Sequence, residues 1–361
     1  MRLTILKILS LSCAVCTFHH ATAQDSFRIT SLSSPQESSA GYEKGVSAPF
    51  CAAADGIIIT AGGANFPEKP VSEGGQKRFY NDIFTVTQDG VWTKAGELPE
   101  PSAYGCTFSM KGEIILAGGC NSEGAVDKVL SIRHKGRKIK IRRYADLPAT
   151  IEQAGSASLG NEMYIIGGLV NGKPSADIYK GVFKGRKTSW TKAFSLPEAM
   201  VQPVACLINK TLYVWGGFNP STGKVLGSGY ALNTATGEWR RIADVPENGT
   251  FTGASLAAEN GKAVIIGGVD KEIFTRGLKA TGKDKEDYLI MEPAGYNFNR
   301  NIWIFDPVSE SWESVGKSED TALAGAGITM MEGEIYIIGG EIKPGVRTPE
   351  SWKLNIIHYD K

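Results

Sequence analysis

The sequence predicts an all-β fold, a propeller built from six four-stranded sheets. A short β-rich run that ends in Gly-Gly recurs along the chain, a segment of small residues precedes most of these runs, and further strand patterns follow them. Recurrence of one such unit at a regular interval indicates a repeat architecture. The six doublets end at Gly63, Gly119, Gly168, Gly217, Gly268 and Gly340.

Each unit has the pattern of a four-stranded antiparallel meander. The small-residue strand and the Gly-Gly strand come first, a strand such as DIYKGVF or NIWIFDP follows, and the last strand carries a tryptophan in most units. The second unit has KIKIRRYADLP instead. A meander alone exposes both faces, so the units are expected to stack radially as in a kelch-type propeller, with tryptophans filling the space between sheets. These are Trp92, Trp190, Trp239 and Trp312.

The two ends of the chain are expected to meet in the last sheet. After Gly340 the sequence supplies only one more strand, around residues 351–359, whereas residues 27–33 have the pattern of an unpaired outer strand. We expect this N-terminal strand to complete the last blade. Linkers that would divide the chain are absent, so residues 24–361 are predicted to form a single domain.

The first 23 residues have the pattern of a cleavable signal peptide. Arg2 and Lys7 make its start basic, an apolar run follows at residues 8–18, and Ala-Thr-Ala at residues 21–23 is a small-residue cleavage site. The apolar run is too short to span a bilayer. We therefore expect a periplasmic or secreted protein that is not inserted in the membrane after cleavage.

Charge and composition argue against several partners and cofactors. Cleavage removes two positive charges and leaves 37 basic against 38 acidic side chains, a net charge of −1, so no basic surface for nucleic acid is expected. Only His134 and His358 remain beyond the signal peptide, too few for a copper, multi-histidine zinc or Ser-His-Asp site. The sequence therefore predicts neither a metal nor a cofactor.

Four cysteines follow the signal peptide. They lack both the paired spacing of a zinc site and the density of a disulfide scaffold. We expect buried structural thiols, and the sequence leaves open whether two of them form a disulfide. They are Cys51, Cys106, Cys120 and Cys206.

One face of the predicted propeller carries its long loops. The segments that follow the Gly-Gly strands are long in the first and fifth units, at about residues 64–79 and 269–300, and long loops on one rim of a rigid scaffold often bind ligands. Polar and aromatic residues near the inner strands share this rim. The alternative is that they only solvate the channel mouth. The expected substrate-binding residues among them are Asn65, Tyr104, Gln153 and Gln202.

The sixth unit differs from the others directly after its Gly-Gly. Glu341 follows the doublet, and Pro344-Gly345 favours a type II turn that folds Arg347 back toward Glu341. A carboxylate and a guanidinium would then share the channel mouth. The alternative is an exposed ion pair of little energetic value.

The run IIGGEIKPGVRT at residues 337–348 resembles the active-site loop of the bacterial sialic acid mutarotases, or N-acetylneuraminate epimerases. TAGGANFP, KAGELPEPSAYG and GGVDKEIF agree as well, and the similarity covers nearly all of the chain after the signal peptide. The blade holding Glu341 comes last here, which resembles the cyclically permuted mutarotases. Ser102 and Ile151 stand where several family members carry Arg, a departure that bears on substrate specificity.

The resemblance implies a reaction and two catalytic residues. Mutarotation interconverts the α and β anomers of N-acetylneuraminic acid by opening and closing the sugar ring, which calls for acid–base groups. Glu341 would accept and return the proton, while Arg347 would either grip the substrate carboxylate or stabilise developing charge. A nearby Arg lowers the pKa of a carboxyl group and burial raises it, and the sequence does not decide between them.

Other functions remain open at this point. A kelch propeller that binds a glycan or a protein partner without chemistry is the main alternative. Sialidases also have six blades, but their Asp-box is not found in this sequence. The preferred sialic acid derivative and the oligomeric state stay open, with a homodimer among the expectations.

Overall fold

The structure, a computed structural model, describes residues 27–136, 138–185, 187–259 and 261–357. The predicted signal peptide and the last four residues lie outside this part of the chain. Within it the fold is all-β, apart from two short α-helices and a few 3-10 turns. Among the described residues no helix is both long and apolar enough to cross a bilayer.

The described chain contains six four-stranded antiparallel sheets, and we number them one to six by the order of their first strands. Each begins with a hairpin whose second strand runs into a Gly-Gly doublet. The first strands are Phe50–Ala54, Cys106–Met110, Gly155–Leu159, Val204–Ile208, Ser255–Glu259 and Gly327–Met331. The second strands are Ile57–Ala61, Glu113–Ala117, Glu162–Ile166, Thr211–Trp215, Lys262–Ile266 and Glu334–Ile338.

The outer half of each sheet is formed by a third and a fourth strand. The third strands are Asp82–Val86, Val129–Lys135, Asp177–Lys184, Gly229–Asn233, Asn301–Asp306 and Ser351–Ile356. The fourth strands are Trp92–Glu97, Lys138–Arg143, Lys187–Ser195, Trp239–Ile242, Ser311–Lys317 and, for sheet six, Phe27–Ser31. That last strand comes from the N-terminal part of the chain and pairs Phe27 with Ile356.

The apolar core lies between neighbouring sheets, where the outer-strand tryptophans pack. Trp190 of sheet three lies 6.3 Å from the ring of Phe108 in sheet two, and Trp312 of sheet five lies 5.1 Å from Trp215 in sheet four. Both observations agree with the expectation that tryptophans fill the space between sheets. The four described cysteines are buried and free, as structural thiols are.

The first strands of the six sheets lie beside one another. Each contacts the first strands of two other sheets, and that of sheet six contacts that of sheet one. The residue two positions before each first strand has a left-handed backbone, with φ between 52° and 72°. We call these six residues the rim: Ala48, Tyr104, Gln153, Gln202, Gly253 and Gly325.

Backbone hydrogen bonds connect the rim residues from sheet to sheet. The N–H groups of Tyr104, Gln153 and Gln202 donate to the preceding rim carbonyl at 3.1, 2.8 and 2.8 Å. Gly325 donates to Gly253, and Ala48 to Gly325, each at 2.6 Å. A left-handed backbone costs a non-glycine residue about 1 kcal/mol or more, so its recurrence at Tyr104, Gln153 and Gln202 indicates a strongly determined site.

After five of the six doublets the described chain forms a short hairpin, and we call these the mouth hairpins. They are Ala64–Asn65 with Arg78–Phe79, Cys120–Asn121 with Gly124–Ala125, Leu169–Val170 with Lys173–Pro174, Phe218–Asn219 with Lys224–Val225, and Glu341–Lys343 with Val346–Arg347. The third also pairs with a short strand, Ile151–Glu152. Further 3-10 turns are Tyr42–Lys44, Val71–Glu73, Pro246–Asn248 and Glu319–Thr321.

Sheet five has a helical insert in place of a mouth hairpin. It contains α1 (Lys271–Lys279), α2 (Gly282–Ile290) and a 3-10 turn (Pro293–Tyr296). The long segment was predicted, but its helices were not. Asp270 begins α1, since its side chain accepts hydrogen bonds from the backbone N–H groups of Glu272 and Ile273.

Candidate active site

A cavity of about 650 Å³ lies at the rim, and we call it the mouth cavity. Its walls come from the rim residues, from mouth hairpins one, four and six, and from the helical insert. It shares Pro49, Gly105 and Ala154 with a second cavity of about 460 Å³ that runs between the first strands. The long loops expected to form a binding face therefore meet around one open cavity of the size that small-molecule ligands occupy.

Glu341 enters the mouth cavity from the start of the sixth mouth hairpin. Its backbone N–H donates to the carbonyl of Ala324 at 2.7 Å, and its carbonyl accepts from Ala324 N–H at 2.9 Å. Gly345 has φ +81°, the value that the second central position of a type II turn requires. The turn pairs Glu341 with Arg347 across the hairpin, and the two side chains form an ion pair between Oε2 and Nη1.

Arg347 is fixed by contacts on several sides. Its Nε donates to Ser47 Oγ at 3.0 Å and, more weakly, to the carbonyl of Ala64 at 3.4 Å. The guanidinium lies 5.2 Å from the ring centroid of Phe66, within cation–π range. Only 3% of the Arg347 side chain and 22% of the Glu341 side chain are exposed, so the alternative of an exposed surface ion pair does not describe this site.

Burial raises the pKa of Glu341 above its ordinary value of 4.5. Attraction to Arg347 and Lys77 and a hydrogen bond from the backbone N–H of Gly345 lower it, but the burial effect is the largest. The sequence left open whether burial or the neighbouring Arg has the larger effect on the pKa of Glu341. In the structure burial has the larger effect. A carboxyl group whose pKa is raised toward neutrality is suited to accept and return a proton.

Three of the predicted substrate-binding residues line the mouth cavity: Tyr104, Gln153 and Gln202. They are consecutive rim residues, so their side chains belong to neighbouring sheets and face one space. Gln202 Nε2 donates to Gln153 Oε1 at 2.9 Å, which orients the two amides against each other. The structure thus brings these three side chains together with Glu341 and Arg347.

Asn65 does not line the mouth cavity. Its amide donates to the carbonyls of Gly41 and Gly45 at 2.8 and 2.7 Å, and its Oδ1 accepts from Tyr80 Oη at 2.9 Å. Only 2% of the residue is exposed. Since its polar atoms are all engaged with the protein, we assign Asn65 a structural role beneath the first mouth hairpin and leave it out of the candidate site.

Lys77 is a cavity residue that the sequence analysis missed. It lies in the long loop of sheet one, with Nζ 3.3 Å from Tyr104 Oη and 4.7 Å from the centroid of that ring. The ring of Phe66 lies 5.9 Å away on another side. The length of the loop was a sign of function, but it did not indicate which of its several charged side chains turns inward.

The helical insert covers part of the mouth cavity with apolar side chains. Phe274 and Leu278 of α1 and Leu289 of α2 line it. Phe274 packs edge-on against Phe218 at 5.2 Å, and Lys343 Nζ donates to the carbonyl of Met291 at 3.0 Å. The insert is therefore bound to the fourth and sixth mouth hairpins rather than extended into solvent. Within the described ranges no three His, Cys, Asp or Glu side chains come together as metal ligands would.

The comparisons of this chain with a family model and with known proteins all point to the same family. The family model described as N-acetylneuraminate epimerase matches residues 16–141 and 144–360. A curated N-acetylneuraminate epimerase of Pasteurella multocida is 30% identical over 221 residues, which is 57% of this chain and 57% of that protein. One of Yersinia enterocolitica is 29% identical over 58% of this chain and 57% of its own length. Each match thus spans little more than half of the relative.

A solved structure gives the likeness at the level of the fold. The structure of YjhT superposes with a TM-score of 0.52 over 58% of this chain and 63% of its own, at 24% sequence identity. At that identity the likeness concerns the path of the backbone alone. It agrees with the all-β arrangement described above.

Proposed function

The chain belongs to the N-acetylneuraminate epimerase family, and from this premise we propose that it is a mutarotase that interconverts the α and β anomers of N-acetylneuraminic acid. One observation carries the proposal: a largely buried carboxyl group of raised pKa, Glu341, is held by Arg347 in the wall of a cavity of about 650 Å³. Such a cavity accommodates a nine-carbon sugar acid.

In the proposed reaction Glu341 moves one proton in each direction. Its carboxylate accepts the proton of the anomeric hydroxyl, the bond from the anomeric carbon to the ring oxygen breaks, and the ring oxygen takes up a proton from water. The open-chain ketone then rotates about the bond next to its carbonyl and closes on the other face. As the ring closes, the attacking hydroxyl gives its proton back to the water that supplied it, and Glu341 returns its own proton to the new anomeric oxygen. No redox change occurs and the groups are regenerated.

The other cavity residues have supporting roles in this proposal. Tyr104, Gln153 and Gln202 bind hydroxyl and acetamido groups of the sugar, because phenol and amide groups both donate and accept hydrogen bonds. Arg347 holds the Glu341 carboxylate toward the cavity and stabilises its charged form. A module that only binds glycans or proteins would have no use for a buried carboxyl group of raised pKa, so this alternative is not favoured.

We infer that the six sheets are the blades of one closed, kelch-type propeller formed by residues 24–361. The contacts between first strands and the hydrogen bonds between rim residues support this inference, as does the likeness to YjhT. The outer strand Phe27–Ser31 then joins the chain ends in the last blade. A ring closed in this way tolerates circular permutation, which would account for the late position of the Glu341 hairpin.

We also propose that the protein is exported and acts on free sialic acid in the periplasm. The basic start, short apolar run and Ala-Thr-Ala of residues 1–23 support this. Mass spectrometry of protein from a periplasmic extract should give an N-terminus at Gln24, and an uncleaved N-terminus would contradict it.

Sedimentation of the same material would decide between a monomer and a homodimer.

The activity is tested by dissolving one pure crystalline anomer of N-acetylneuraminic acid and following its equilibration by proton NMR. We expect the protein to speed equilibration well above buffer, whereas the same protein after heat denaturation does not. D-glucose, a neutral aldose, serves as the second control and should equilibrate at its buffer rate. Equilibration of the sialic acid at the buffer rate would overturn the proposed function.

A further inference from the structure

The cationic side chains at the mouth cavity differ in how many contacts they already make with other groups of the protein. On the proposed function, the substrate carries a carboxylate on its anomeric carbon, the carbon at which the reaction occurs. A cavity that takes such an anion needs a cation near Glu341. Four cationic residues are near enough to consider: Arg347, Lys343, Lys285 and Lys77.

Arg347 is engaged by the protein itself. Its Nη1 pairs with Glu341, its Nε donates to Ser47 and Ala64, and 3% of its side chain is exposed. A substrate carboxylate on this guanidinium would have to reach a side chain that is almost fully buried and lie close to the Glu341 carboxylate. Two like charges at one cation oppose binding, so the contacts favour Arg347 as a positioning residue for Glu341.

Lys343 and Lys285 are engaged with the helical insert. Lys343 Nζ donates to the carbonyl of Met291 at 3.0 Å, and Lys285 Nζ donates to that of Gly277 at 2.8 Å. The ammonium of Lys285 also lies 5.3 Å from the ring of Tyr288. Both lysines satisfy backbone carbonyls and hold the insert in place, so drawing them toward a ligand would break these contacts.

Lys77 is the cation left available. It is exposed, it lines the mouth cavity, and it takes part in none of the ion pairs found among the described residues. Its Nζ is 3.3 Å from Tyr104 Oη, so a carboxylate beside it would also meet a hydroxyl donor. The positive charge of Lys77 acts on Glu341 across the cavity, which places it within electrostatic reach of the reacting carbon.

We propose that Lys77, assisted by the hydroxyl of Tyr104, binds the carboxylate of the substrate and makes the site specific for sugar acids. The assignment divides the cationic roles at the mouth. Arg347 orients the proton-transfer group, while Lys77 orients the sugar by the charged substituent of its anomeric carbon. Binding also neutralises Lys77, which leaves the Glu341 carboxylate a stronger base in the complex than in the free protein.

The test compares N-acetylneuraminic acid with its methyl ester, which lacks only the negative charge. The variant is Lys77→Gln, and Lys69→Gln is the matched control, since Lys69 is an exposed lysine of the same loop that does not line the cavity. Anomer exchange measured by NMR gives kcat and KM for each substrate. Circular dichroism melting confirms that both variants are folded.

We expect the wild type and Lys69→Gln to prefer the acid over the ester by about 10- to 100-fold in kcat/KM, the usual value of a charged hydrogen bond. Lys77→Gln should lose this preference, mainly through a higher KM for the acid, so that its kcat/KM for the acid approaches its kcat/KM for the ester. If Lys77→Gln kept the wild-type preference for the acid, the proposal would be wrong.

A second readout separates this proposal from the proposed function. Calorimetric titration with acid and ester at anomeric equilibrium measures binding without any turnover. An acid preference that is present in the wild type and lost in Lys77→Gln supports the carboxylate site even for a protein that accelerates nothing. Equal affinity of the wild type for acid and ester, or an unchanged preference in the variant, overturns it.

Discussion

The sixth mouth hairpin and the other four begin with the same kind of backbone pairing but carry different side chains at one register position. The residue after each doublet is bridged to the segment before the first strand, and it faces a partner across the hairpin. In sheet six this facing pair is Glu341 and Arg347. In sheets one to four the pairs are Ala64 with Phe79, Cys120 with Ala125, Leu169 with Pro174, and Phe218 with Val225.

The difference teaches where the chemistry resides. Four apolar pairs show that the hairpin needs no charge to form. A buried ion pair rarely stabilises a fold more than an apolar pair of similar volume, because both charges lose their hydration. The charged pair of sheet six is therefore best explained by a function in the cavity. Variants that replace the pair by an apolar one, or that remove one of its charges, test this explanation.

The largest effect is expected from converting the sixth hairpin into a copy of the fourth. The double variant Glu341→Phe/Arg347→Val replaces the ion pair by the pair that Phe218 and Val225 form. We expect anomer exchange to fall to the buffer rate, since the proton acceptor is gone, while the melting temperature stays within a few degrees of wild type or rises. NMR exchange and thermal melting of one preparation check both. Retained activity would contradict the comparison.

Breaking the pair instead of replacing it should give a smaller, pH-dependent loss. Arg347→Met removes the strongest influence that lowers the pKa of Glu341, so that pKa rises further. Because the carboxylate form is the base, the rate should fall roughly 100-fold near neutral pH and recover in part as pH increases. A rate profile from pH 5 to 9 should show its acidic limb displaced to higher pH, and an undisplaced limb would contradict this.

The same variant makes a prediction about stability. A carboxyl group whose pKa is higher in the folded than in the unfolded state holds its proton more tightly when folded. Its contribution to stability is therefore complete at low pH and is lost as pH rises from the unfolded toward the folded pKa. The melting temperature of Arg347→Met should thus decline with rising pH more steeply than that of wild type. Parallel declines would show that Arg347 does not control Glu341.

A rim amide should matter for binding and little for proton transfer. Gln153→Ala removes one hydrogen-bonding side chain from the cavity, so we expect KM to increase about 2- to 10-fold with kcat nearly unchanged, the usual value of one neutral hydrogen bond. Since alanine is more strained than glycine at φ 54°, Gln153→Gly serves as the backbone control. An effect confined to kcat would contradict a binding role.

The smallest effect on catalysis is expected at Asn65, the residue whose predicted substrate contact the structure does not support. Asn65→Ala leaves two buried carbonyls without their donor, so the free energy of unfolding should decrease by about 1–3 kcal/mol. KM for the folded fraction should stay at the wild-type value. Denaturant titration measures the free energy of unfolding, and NMR kinetics measures KM. An increased KM would show that Asn65 contributes to substrate binding after all.

Local patterns predicted much of this molecule. The repeated Gly-Gly strands indicated the four-stranded units, and Pro344-Gly345 indicated the turn that brings Arg347 to Glu341. Both depend on neighbours close in sequence. The partners of Asn65 come from residues 41–45 and from Tyr80, and Lys77 reaches Tyr104 only through the path of its loop. Such contacts depend on the assembled fold, so periodicity alone does not predict them.

The helices of the insert escaped prediction for a related reason. Helix α2, with GKDKEDYLI, has no regular apolar stripe, and its stability depends on Tyr288 packing against Tyr296 at 5.3 Å. Segments 271–279 and 282–290 are each short for an isolated helix. They form here because the mouth hairpins and the 3-10 turn offer apolar surface for them to cover.

The central claim is that Glu341 transfers the proton, and Glu341→Gln tests it most directly. Glutamine keeps the size of the side chain and can still accept a hydrogen bond from Arg347, but it cannot take up a proton. Glu350→Gln, at an exposed carboxylate near the same hairpin, is the matched control. We predict that Glu341→Gln lowers the rate of anomer exchange by roughly 100-fold or more, while the control keeps the wild-type rate. A rate for Glu341→Gln within about threefold of wild type would contradict the account, since general acid–base catalysis contributes far more than that.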